Sequence, residues 1–340
     1  MLGVIYTLLA AASFGFNNAS VRRGMITGTV TQVVALSMPM GLVMFAAVAW
    51  ASGQLGRMDA LSLQSYGLLA SAGVVHFVFG RYCNYRSIQA LGANLSAPIQ
   101  QWTLLVSLVL AVAFLAEKLD ALKFLGIGLM VAAPAMILGS HRMRARGKLS
   151  AAAKPAGAAV APATKFQPRL AEGYIFGILS CLCYGASPAL VRAGLASNGL
   201  ALAGGVVSYG AASIVVALML PWPGAWRDLA AIERRNVSWF VLTGVTVCIS
   251  QIFLYLAMAI APVTVVQPLM RFATLFRTLF SWVFNRDYES FEIGLLLAIA
   301  VSLIGALALT LEPAMVARWL DAPPRLAAAL AWTWPGGGGP

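Results

Sequence analysis

The stretch that decides the fold is GVIYTLLAAASFGFNNASVRRG at residues 3–24, because a second copy follows as GYIFGILSCLCYGASPALVRAG at residues 173–194. Sliding the chain along itself by 170 positions aligns the two copies without a gap. Each copy begins with Gly, carries an aromatic-Gly pair in its middle and ends in Val-Arg-x-Gly. Each is also an apolar run of the length that an α-helix needs to cross a lipid bilayer. The pattern therefore indicates a duplicated unit that opens with a membrane-crossing helix.

The match continues through the rest of each copy. Further pairs at the same offset are Tyr85 with Tyr255, Pro98 with Pro268, and Glu117 with Asp287. Apolar runs long enough to span lie at about 3–20, 29–51, 66–90, 94–116, 121–139, 173–191, 200–220, 237–260, 264–285 and 293–311. They lack the alternation of a membrane β-strand, and a helix is the other structure that satisfies backbone groups in lipid. The sequence predicts an all-α integral membrane protein with ten transmembrane helices.

The number of helices in each copy determines how the copies are related. Five crossings are an odd number, so the second copy enters the membrane with the opposite orientation, as in the inverted repeats of many transporters. We expect a first five-helix repeat at 1–139 and a second at 173–311. A basic linker rich in Ala and Pro separates them at 140–172, and we expect the tail at 312–340 to be disordered.

Composition excludes several function classes. Hydrophobic residues make up 60% of the chain and charged residues 10%, with a mean hydropathy of +0.83, whereas a soluble domain carries about 25% charged residues. A soluble enzyme is thereby excluded. The net charge of +12 comes mostly from loops and linker, so we expect a lipid bilayer as partner and no nucleic acid. The four cysteines fall inside predicted spans, where thiols act as small apolar residues, and no cofactor or metal site is expected.

The residues resemble the drug/metabolite transporter superfamily in its ten-helix form with two EamA repeats. The motifs that carry the resemblance are Phe14-Gly15 and Tyr184-Gly185 in the first helix of each repeat, Ala97-Pro98 and Gln267-Pro268 in the fourth, Glu117-Lys118-Leu119 at its end, and Gly126 with Gly128 in the fifth. The second repeat has Asp287-Tyr288-Glu289 in place of Glu-Lys-Leu. The resemblance implies a multi-pass permease of the inner membrane, not an enzyme, that moves small metabolites, often outward, by alternating access. It also implies that helices 1–4 of each repeat line the chamber and that helices 5 and 10 act as supports.

Arginines within the spans bear on the substrate. Arg81 and Arg271 lie near mid-span, where a charged side chain is costly and indicates function. The repeat aligns Arg81 with Gln251 and Arg271 with Gln101, and every acidic residue lies outside the spans. Two guanidinium groups facing a chamber would bind a carboxylate or phosphate through paired hydrogen bonds. The candidate substrate-binding residues are Asn17, Arg81, Tyr85, Gln100, Gln101, Tyr184, Gln251, Tyr255, Arg271 and Thr274.

These observations favour a secondary transporter, preferably an exporter, of a small organic anion or zwitterion. A broad exporter of neutral or aromatic compounds is the alternative if the arginines bind only backbone carbonyls, Gln or Tyr, and a lipid-handling protein is a weaker one. His76 is a candidate proton relay, although a lone intramembrane His is more often a hydrogen-bonding residue. The oligomeric state is expected to be monomer or homodimer.

Sidedness is left open between two indications. Loops on the side of the linker hold about thirteen Lys and Arg, against about six on the side of the termini, so the positive-inside rule puts the linker in the cytoplasm. The family resemblance implies the reverse, and we favour it because the excess comes mainly from one long loop.

Overall fold

The computed structural model describes residues 2–334, apart from 116–118, 153–166, 196–198 and the single positions 220, 222, 262, 290, 310, 320, 322 and 331. Parts of three predicted features therefore lie outside the described residues: the Glu117-Lys118 part of the family motif, the middle of the linker and the end of the tail at 335–340.

The first repeat is mostly helical. Its helices are α1 (Leu2–Gly24), α2 (Val30–Ala51), α3 (Leu63–Gly73), α4 (Arg81–Leu91), α5 (Ala93–Gln100), α6 (Thr103–Leu115) and α7 (Ala121–Ala152). A short 3₁₀ helix at Leu55–Ala60 precedes α3, and a π-helical segment at Val74–Gly80 joins α3 to α4. α2 begins at a capping box, in which Thr29 accepts from the backbone N–H of Gln32 and the Gln32 side chain accepts from that of Thr29. Gly92, with φ of +90°, separates α4 from α5.

The second repeat follows the same order. Its helices are α8 (Leu170–Leu195), α9 (Ala201–Met219), α10 (Pro223–Ala230), α11 (Arg234–Ile260), α12 (Val263–Met270), α13 (Ala273–Phe284) and α14 (Ile293–Ala308). Two short helices, α15 (Pro313–Trp319) and α16 (Pro324–Leu330), lie beyond it.

Six helical segments in the described part of the chain are long and apolar enough to cross a membrane. They are Leu2–Gly24, Val30–Ala51, Leu63–Leu91, Leu170–Leu195, Ala201–Met219 and Arg234–Ile260. α14 and α15 together form a bent seventh candidate, with a turn of 110° between them, while Ala121–Ile137 and Ala273–Phe284 are shorter apolar helices. The chain is therefore a helical multi-pass membrane protein, although helix length alone does not establish ten crossings.

Each repeat contains one interrupted helix, and the interruptions coincide at the 170-residue offset. α5 ends at Gln100 and α6 begins at Thr103, while α12 ends at Met270 and α13 begins at Ala273. The same tight turns occur in both, where an amide bonds to the carbonyl three residues earlier: Trp102 to Ile99 and Leu104 to Gln101, then Phe272 to Leu269 and Thr274 to Arg271. The duplication read from sequence thus extends to local backbone geometry.

Glycine contacts between the repeats recur in the same way. Gly15 of α1 packs on Phe276 and on the carbonyl of Ala273, and Gly185 of α8 packs on Val106 and on the carbonyl of Thr103. Each contact maps onto the other when 170 is added or subtracted. The first helix of each repeat is therefore seated against the fourth helix of the other, where small residues permit close approach.

α7 and α14 form a separate pair beside this core. Gly126 and Gly305 bring their backbones together, since a Cβ on either residue would meet the other's carbonyl oxygen. Leu95 and Ile99 of α5 join Ala133 and Ile137 of α7 and Leu295 of α14 in an apolar cluster. The supporting role that the family resemblance implies for helices 5 and 10 stays a prediction.

The linker and the tail carry more structure than the sequence analysis expects. α7 continues to Ala152, so it includes the first part of the expected linker at 140–172. In the tail, which we expected to be disordered, α15 and α16 are followed by a two-residue strand at Thr333–Trp334, which pairs antiparallel with Leu119–Asp120. The ring of Trp332 packs against Phe124. The composition of the tail predicts disorder because composition does not show contacts with partners that lie far away in the sequence.

Candidate functional site

A cavity of about 70 Å³ lies where the two interrupted helices meet. Its walls come from α1, the π-helical segment, the α5–α6 interruption, α8, α11 and the α12–α13 interruption. Its lining residues are Phe14, His76, Gln100, Gln101, Thr103, Tyr184, Pro188, Gln251, Leu254, Gln267, Met270, Arg271, Ala273, Thr274 and Arg277. Both repeats contribute, and irregular helical backbone lies at the cavity, as is common for transporter binding sites.

The helix interruptions position the polar side chains. Gln101 donates from its amide nitrogen to Thr274 Oγ1 at 2.7 Å, which joins the two interruptions directly. Gln100 donates to Ser180 Oγ of α8 at 2.7 Å. The tight turns interrupt the regular i→i+4 hydrogen bonding of the helix, so some backbone carbonyls are available to side chains. One of them, the carbonyl of Gln100, accepts from Arg271 Nη1 at 3.4 Å.

Arg271 is held mostly by its own helix. Its Nε donates to the carbonyl of Gln267 at 3.2 Å and its Nη2 donates to Gln267 Oε1, also at 3.2 Å. All of these partners are neutral oxygens. Among the described residues, the guanidinium is therefore oriented at the cavity wall by neutral groups and forms no ion pair with an acid.

Arg277 is a second cation in the cavity wall, and the sequence analysis did not choose it. Its side chain is 2% exposed, and Nη1 donates to the carbonyl of Ala93 and to Ser96 Oγ, both at 3.3 Å. Its Nε is buried and has no hydrogen-bond partner among the described residues. A buried donor without a partner is costly, and a ligand oxygen would satisfy it.

The tight turn at 271–272 explains why sequence periodicity missed Arg277. In a regular α-helix, Gln267, Arg271, Thr274 and Thr278 would share one face, and Arg277 would lie outside it. A 3₁₀ turn rotates about 120° per residue, compared with about 100° in an α-helix, so the inward face moves to an earlier residue. Thr278 instead donates to the carbonyl of Thr274 at 3.0 Å.

Seven of the eleven predicted residues line the cavity: His76, Gln100, Gln101, Tyr184, Gln251, Arg271 and Thr274. An eighth, Tyr255, lines a smaller cavity of about 10 Å³, where His76, Pro188 and Gln251 also form part of the wall. Its hydroxyl donates to Ser208 Oγ at 3.0 Å.

Arg81 does not meet the expectation that its guanidinium faces one chamber together with that of Arg271. It lines neither cavity and is 1% exposed. Its Nη2 donates to the Tyr209 hydroxyl at 2.7 Å and its Nη1 to Ser37 Oγ at 3.4 Å, while the guanidinium lies 4.9 Å from the centre of the Phe77 ring. These partners come from α2, α9 and the π-helical segment, and they favour the alternative interpretation, a structural role for Arg81.

Asn17 and Tyr85 also lie outside both cavity walls. The Tyr85 hydroxyl donates to Asn17 Oδ1 at 3.2 Å, and Asn84 beside it donates to Asn18 Oδ1 at 3.2 Å. These bonds join α1 to α4 within the first repeat. Polar groups of this kind hold membrane helices together, and the sequence pattern does not distinguish them from ligand-binding groups.

His76 reaches the cavity because the π-helical segment changes the helix register. Its Nδ1 lies 2.6 Å from Ser187 Oγ and its Nε2 lies 3.4 Å from Gln251 Nε2. Its ring packs at 4.5 Å from that of Tyr184, which also contacts Phe14 edge to face. π-helical turns occur often at functional sites. With the Gln251 amide as donor, Nε2 accepts and Nδ1 carries the proton toward Ser187, so both ring nitrogens of a neutral imidazole are satisfied.

α2 and α9 contribute no residue to the lining in the described part of the chain. The family resemblance implies that the first four helices of each repeat line the chamber. In this structure, the second helix of each repeat instead packs behind the wall, where Phe45 of α2 and Tyr209 of α9 have ring centres 5.1 Å apart.

Comparisons with known proteins agree with this architecture. The sequence profile of the EamA-like transporter family matches residues 1–139, and no curated protein matches the chain. Seventeen chains of solved structures match the fold. One, described only as the crystal structure of a protein, is 15% identical with a TM-score of 0.58, and the match covers 93% of this chain and 98% of that one. At this identity the likeness shows the fold alone, and it extends over both repeats.

Proposed function

An EamA-like transporter family domain occupies residues 1–139, and from this premise we propose that the chain carries a small organic anion or zwitterion across the membrane by alternating access. Proteins of this family are transporters and not enzymes. The proposal includes ten crossings arranged as two inverted repeats in the inner membrane. Export is the proposed direction, as the family resemblance implies.

The observation that carries the proposal is the pair of arginines in the cavity wall. Arg271 and Arg277 both line it, and the described lining includes no Asp or Glu. Arg271 bonds only to neutral oxygens among the described residues, and a cation so placed in a low-dielectric site attracts an anion strongly. The partnerless Nε of Arg277 adds a donor that an incoming oxygen would satisfy. Carboxylate and phosphate groups match the planar arrangement of guanidinium donors.

One feature supports the second candidate, a broad exporter of neutral or aromatic compounds. Much of the wall is apolar or aromatic, with Phe14, Tyr184, Pro188, Leu254 and Met270. On this view, the bonds of both arginines to carbonyl and hydroxyl groups would be their whole role. The two candidates differ in whether transport requires charge on the substrate.

The test begins with metabolite profiling of cells that do and do not produce the protein, which names candidate substrates. Purified protein in proteoliposomes is then assayed for uptake of each radiolabelled candidate. Losing a charge-assisted hydrogen bond costs about 1.5–3 kcal/mol, which corresponds to a loss of roughly 10- to 150-fold. We therefore expect Arg271→Gln and Arg277→Gln to lower uptake of a carboxylate by roughly those factors.

The matched control is Arg192→Gln. Arg192 is exposed, lies outside both cavity walls and donates to the carbonyl of Met258 at 2.8 Å. We expect this variant to transport as the wild type does. Undiminished carboxylate uptake in both cavity variants would refute the proposed site, and equal uptake of uncharged aromatic compounds would favour the second candidate.

Proton coupling through His76 stays a prediction. Both ring nitrogens have hydrogen-bond neighbours in the neutral form, which favours a positioning role over a relay. Measuring uptake by His76→Gln with and without a pH gradient separates the two roles. If His76 is a proton relay, the gradient should no longer increase uptake in this variant. If His76 only positions other groups, the gradient should still increase it.

A further inference from the structure

A buried carboxylate lies at the linker end of the bundle, where α1 ends, α5 begins and α8 starts after the linker. Glu289 follows α13, and its side chain is 1% exposed. Its Oε1 lies 3.0 Å from Arg22 Nε and accepts from the backbone N–H of Ala93 at 2.7 Å, and its Oε2 accepts from that of Asn94 at 3.0 Å. The carboxylate thus joins the last turn of α1 to the first turn of α5, where the backbone amides and the helix dipole favour a negative charge.

From sequence, Glu289 is expected outside the spans, as every acidic residue is. Glu289 does lie outside the helices, but its side chain and that of Arg22 are removed from solvent. Burial raises the pKa of Glu289, while the charge of Arg22 and the two backbone amides oppose that rise. The ionised carboxylate therefore depends on Arg22 and on the first turn of α5 remaining in place.

Further bonds close the same end of the bundle. Arg22 Nη2 donates to the carbonyl of Tyr288 at 3.2 Å, and Asn285 donates to the carbonyl of Ala19 at 2.8 Å. The guanidinium of Arg23 lies 4.7 Å from the centre of the Tyr288 ring. The segment 285–289 of the second repeat is therefore fastened to the end of α1 in the first repeat.

The opposite end differs at the equivalent positions. Arg192 is the repeat partner of Arg22, but it is exposed and donates to the carbonyl of Met258. Leu119 is the repeat partner of Glu289 and has no carboxylate. Among these described repeat partners, only the linker end has an Arg–Glu pair. The duplication alone therefore does not account for the pair.

The first turn of α5 also contacts the cavity. Arg277 donates to the carbonyl of Ala93 and to Ser96 Oγ, while Glu289 accepts from the amides of Ala93 and Asn94. One helical turn is thus held from one side by a cation of the cavity wall and from the other by the buried ion pair. Losing the bonds from Arg277, or losing those to Glu289, would therefore loosen the same turn of α5.

We propose that Glu289 and Arg22 form the gate of the linker end and that the first turn of α5 couples this gate to Arg277. The coupling rests on the proposed function: an anion bound by Arg277 draws the guanidinium away from Ala93 and Ser96. The turn then loosens, Glu289 loses its amide donors, and the segment 285–289 separates from α1. In this scheme Glu289 is a positioning residue and does not touch the substrate.

Hydrogen–deuterium exchange on the purified full-length protein, without added substrate, tests the gate. We expect Glu289→Gln to speed exchange of the amides at 93–96 on the order of tenfold, because the uncharged amide no longer pairs with Arg22. Arg277→Gln should speed the same amides, since it releases the turn from the cavity side. In the double variant, the increase in exchange rate should be smaller than the product of the increases in the two single variants, because both substitutions act on one turn.

The matched control is Glu172→Gln. Glu172 pairs with Arg86 at 2.7 Å at the same end of the bundle, and this pair also joins the two repeats. Unlike the Arg22–Glu289 pair, it is partly exposed: the side chain of Arg86 is 35% accessible and that of Glu172 is 23% accessible. We expect exchange at 93–96 to stay at the wild-type rate in this variant. If Glu289→Gln does not fold, Arg277→Gln alone tests the coupling.

Wild-type exchange at 93–96 in Glu289→Gln and Arg277→Gln would overturn the gate, whatever the protein transports. Failure to transport any anion would instead refute the proposed function, and faster exchange in the two variants would still support the gate itself. The two ideas therefore fail separately.

Discussion

Arg81 and Arg271 show how similar side chains in similar helices take different roles. Both lie near mid-span and both align with a glutamine in the other repeat. Arg81 is enclosed by aromatic and hydroxyl groups from α2, α9 and the π-helical segment, whereas Arg271 lies at a helix interruption beside the cavity. We therefore expect the charge of Arg81 to stabilise the packing and that of Arg271 to bind a ligand.

Replacing Arg81 should affect stability rather than substrate recognition. Arg81→Gln leaves the Tyr209 hydroxyl and Ser37 with fewer partners, and we expect a loss of about 1.5–3 kcal/mol in the free energy of unfolding. Thermal unfolding in detergent measures this loss. Uptake by the folded fraction should keep the wild-type KM.

Arg271→Gln provides the contrast for this prediction. It should raise the KM for the transported anion with little change in melting temperature, because its partners are carbonyl groups and a glutamine of its own helix. A raised KM in Arg81→Gln at unchanged stability would show that Arg81 binds substrate after all.

Close packing between helices depends on particular glycines. The sequence shows that some of these glycines recur in both repeats, but it does not show what they pack against. A Cβ on Gly15 would lie 2.6 Å from the Cβ of Phe276 and 2.7 Å from the backbone nitrogen of Arg277. A flexible side chain cannot relieve the second contact, because it is made with backbone. α1 therefore approaches α13 closely only because residue 15 has no side chain.

We expect Gly15→Ala to destabilise the protein by about 1–3 kcal/mol, the usual cost of overpacking, and to displace Arg277 from the cavity wall. The melting temperature and the rate of anion uptake should both fall. Gly128→Ala in α7 is the matched control, since a Cβ there meets nothing within 4 Å. That change should be neutral or slightly stabilising because Ala favours helix. Equal melting temperatures for the two variants would contradict the close packing of α1 on α13.

The bundle as a whole combines repeat symmetry with an asymmetric pair of ends. The helix interruptions and the glycine contacts recur at one offset, whereas the buried Arg22–Glu289 pair has no counterpart at the described repeat positions. Symmetric halves suit exchange between two similar states. An ion pair at one end alone would favour closure of that end.

The same ion pair bears on sidedness. Arg22 is one of about thirteen basic residues counted for the linker side, yet its charge is neutralised within the fold, which weakens that indication. We expect both termini in the cytoplasm, as the family resemblance implies. Green fluorescent protein fused after Pro340 should fluoresce, and alkaline phosphatase at the same position should be inactive. Active phosphatase there would place the termini outside and support the positive-inside rule instead.

Membrane residence and the helical class follow from composition and local apolar runs, and the 170-residue repeat follows from aligning the chain with itself, so sequence alone sufficed for all three. It also predicted seven of the fifteen residues that line the cavity, because polar side chains within apolar helices are few. Tertiary structure decided that Arg277 and not Arg81 lies in the wall, and that Glu289 is buried. The physical reason is that 3₁₀ and π-helical turns shift the direction of every later side chain, and that the partners of a buried charge come from helices far away in the chain.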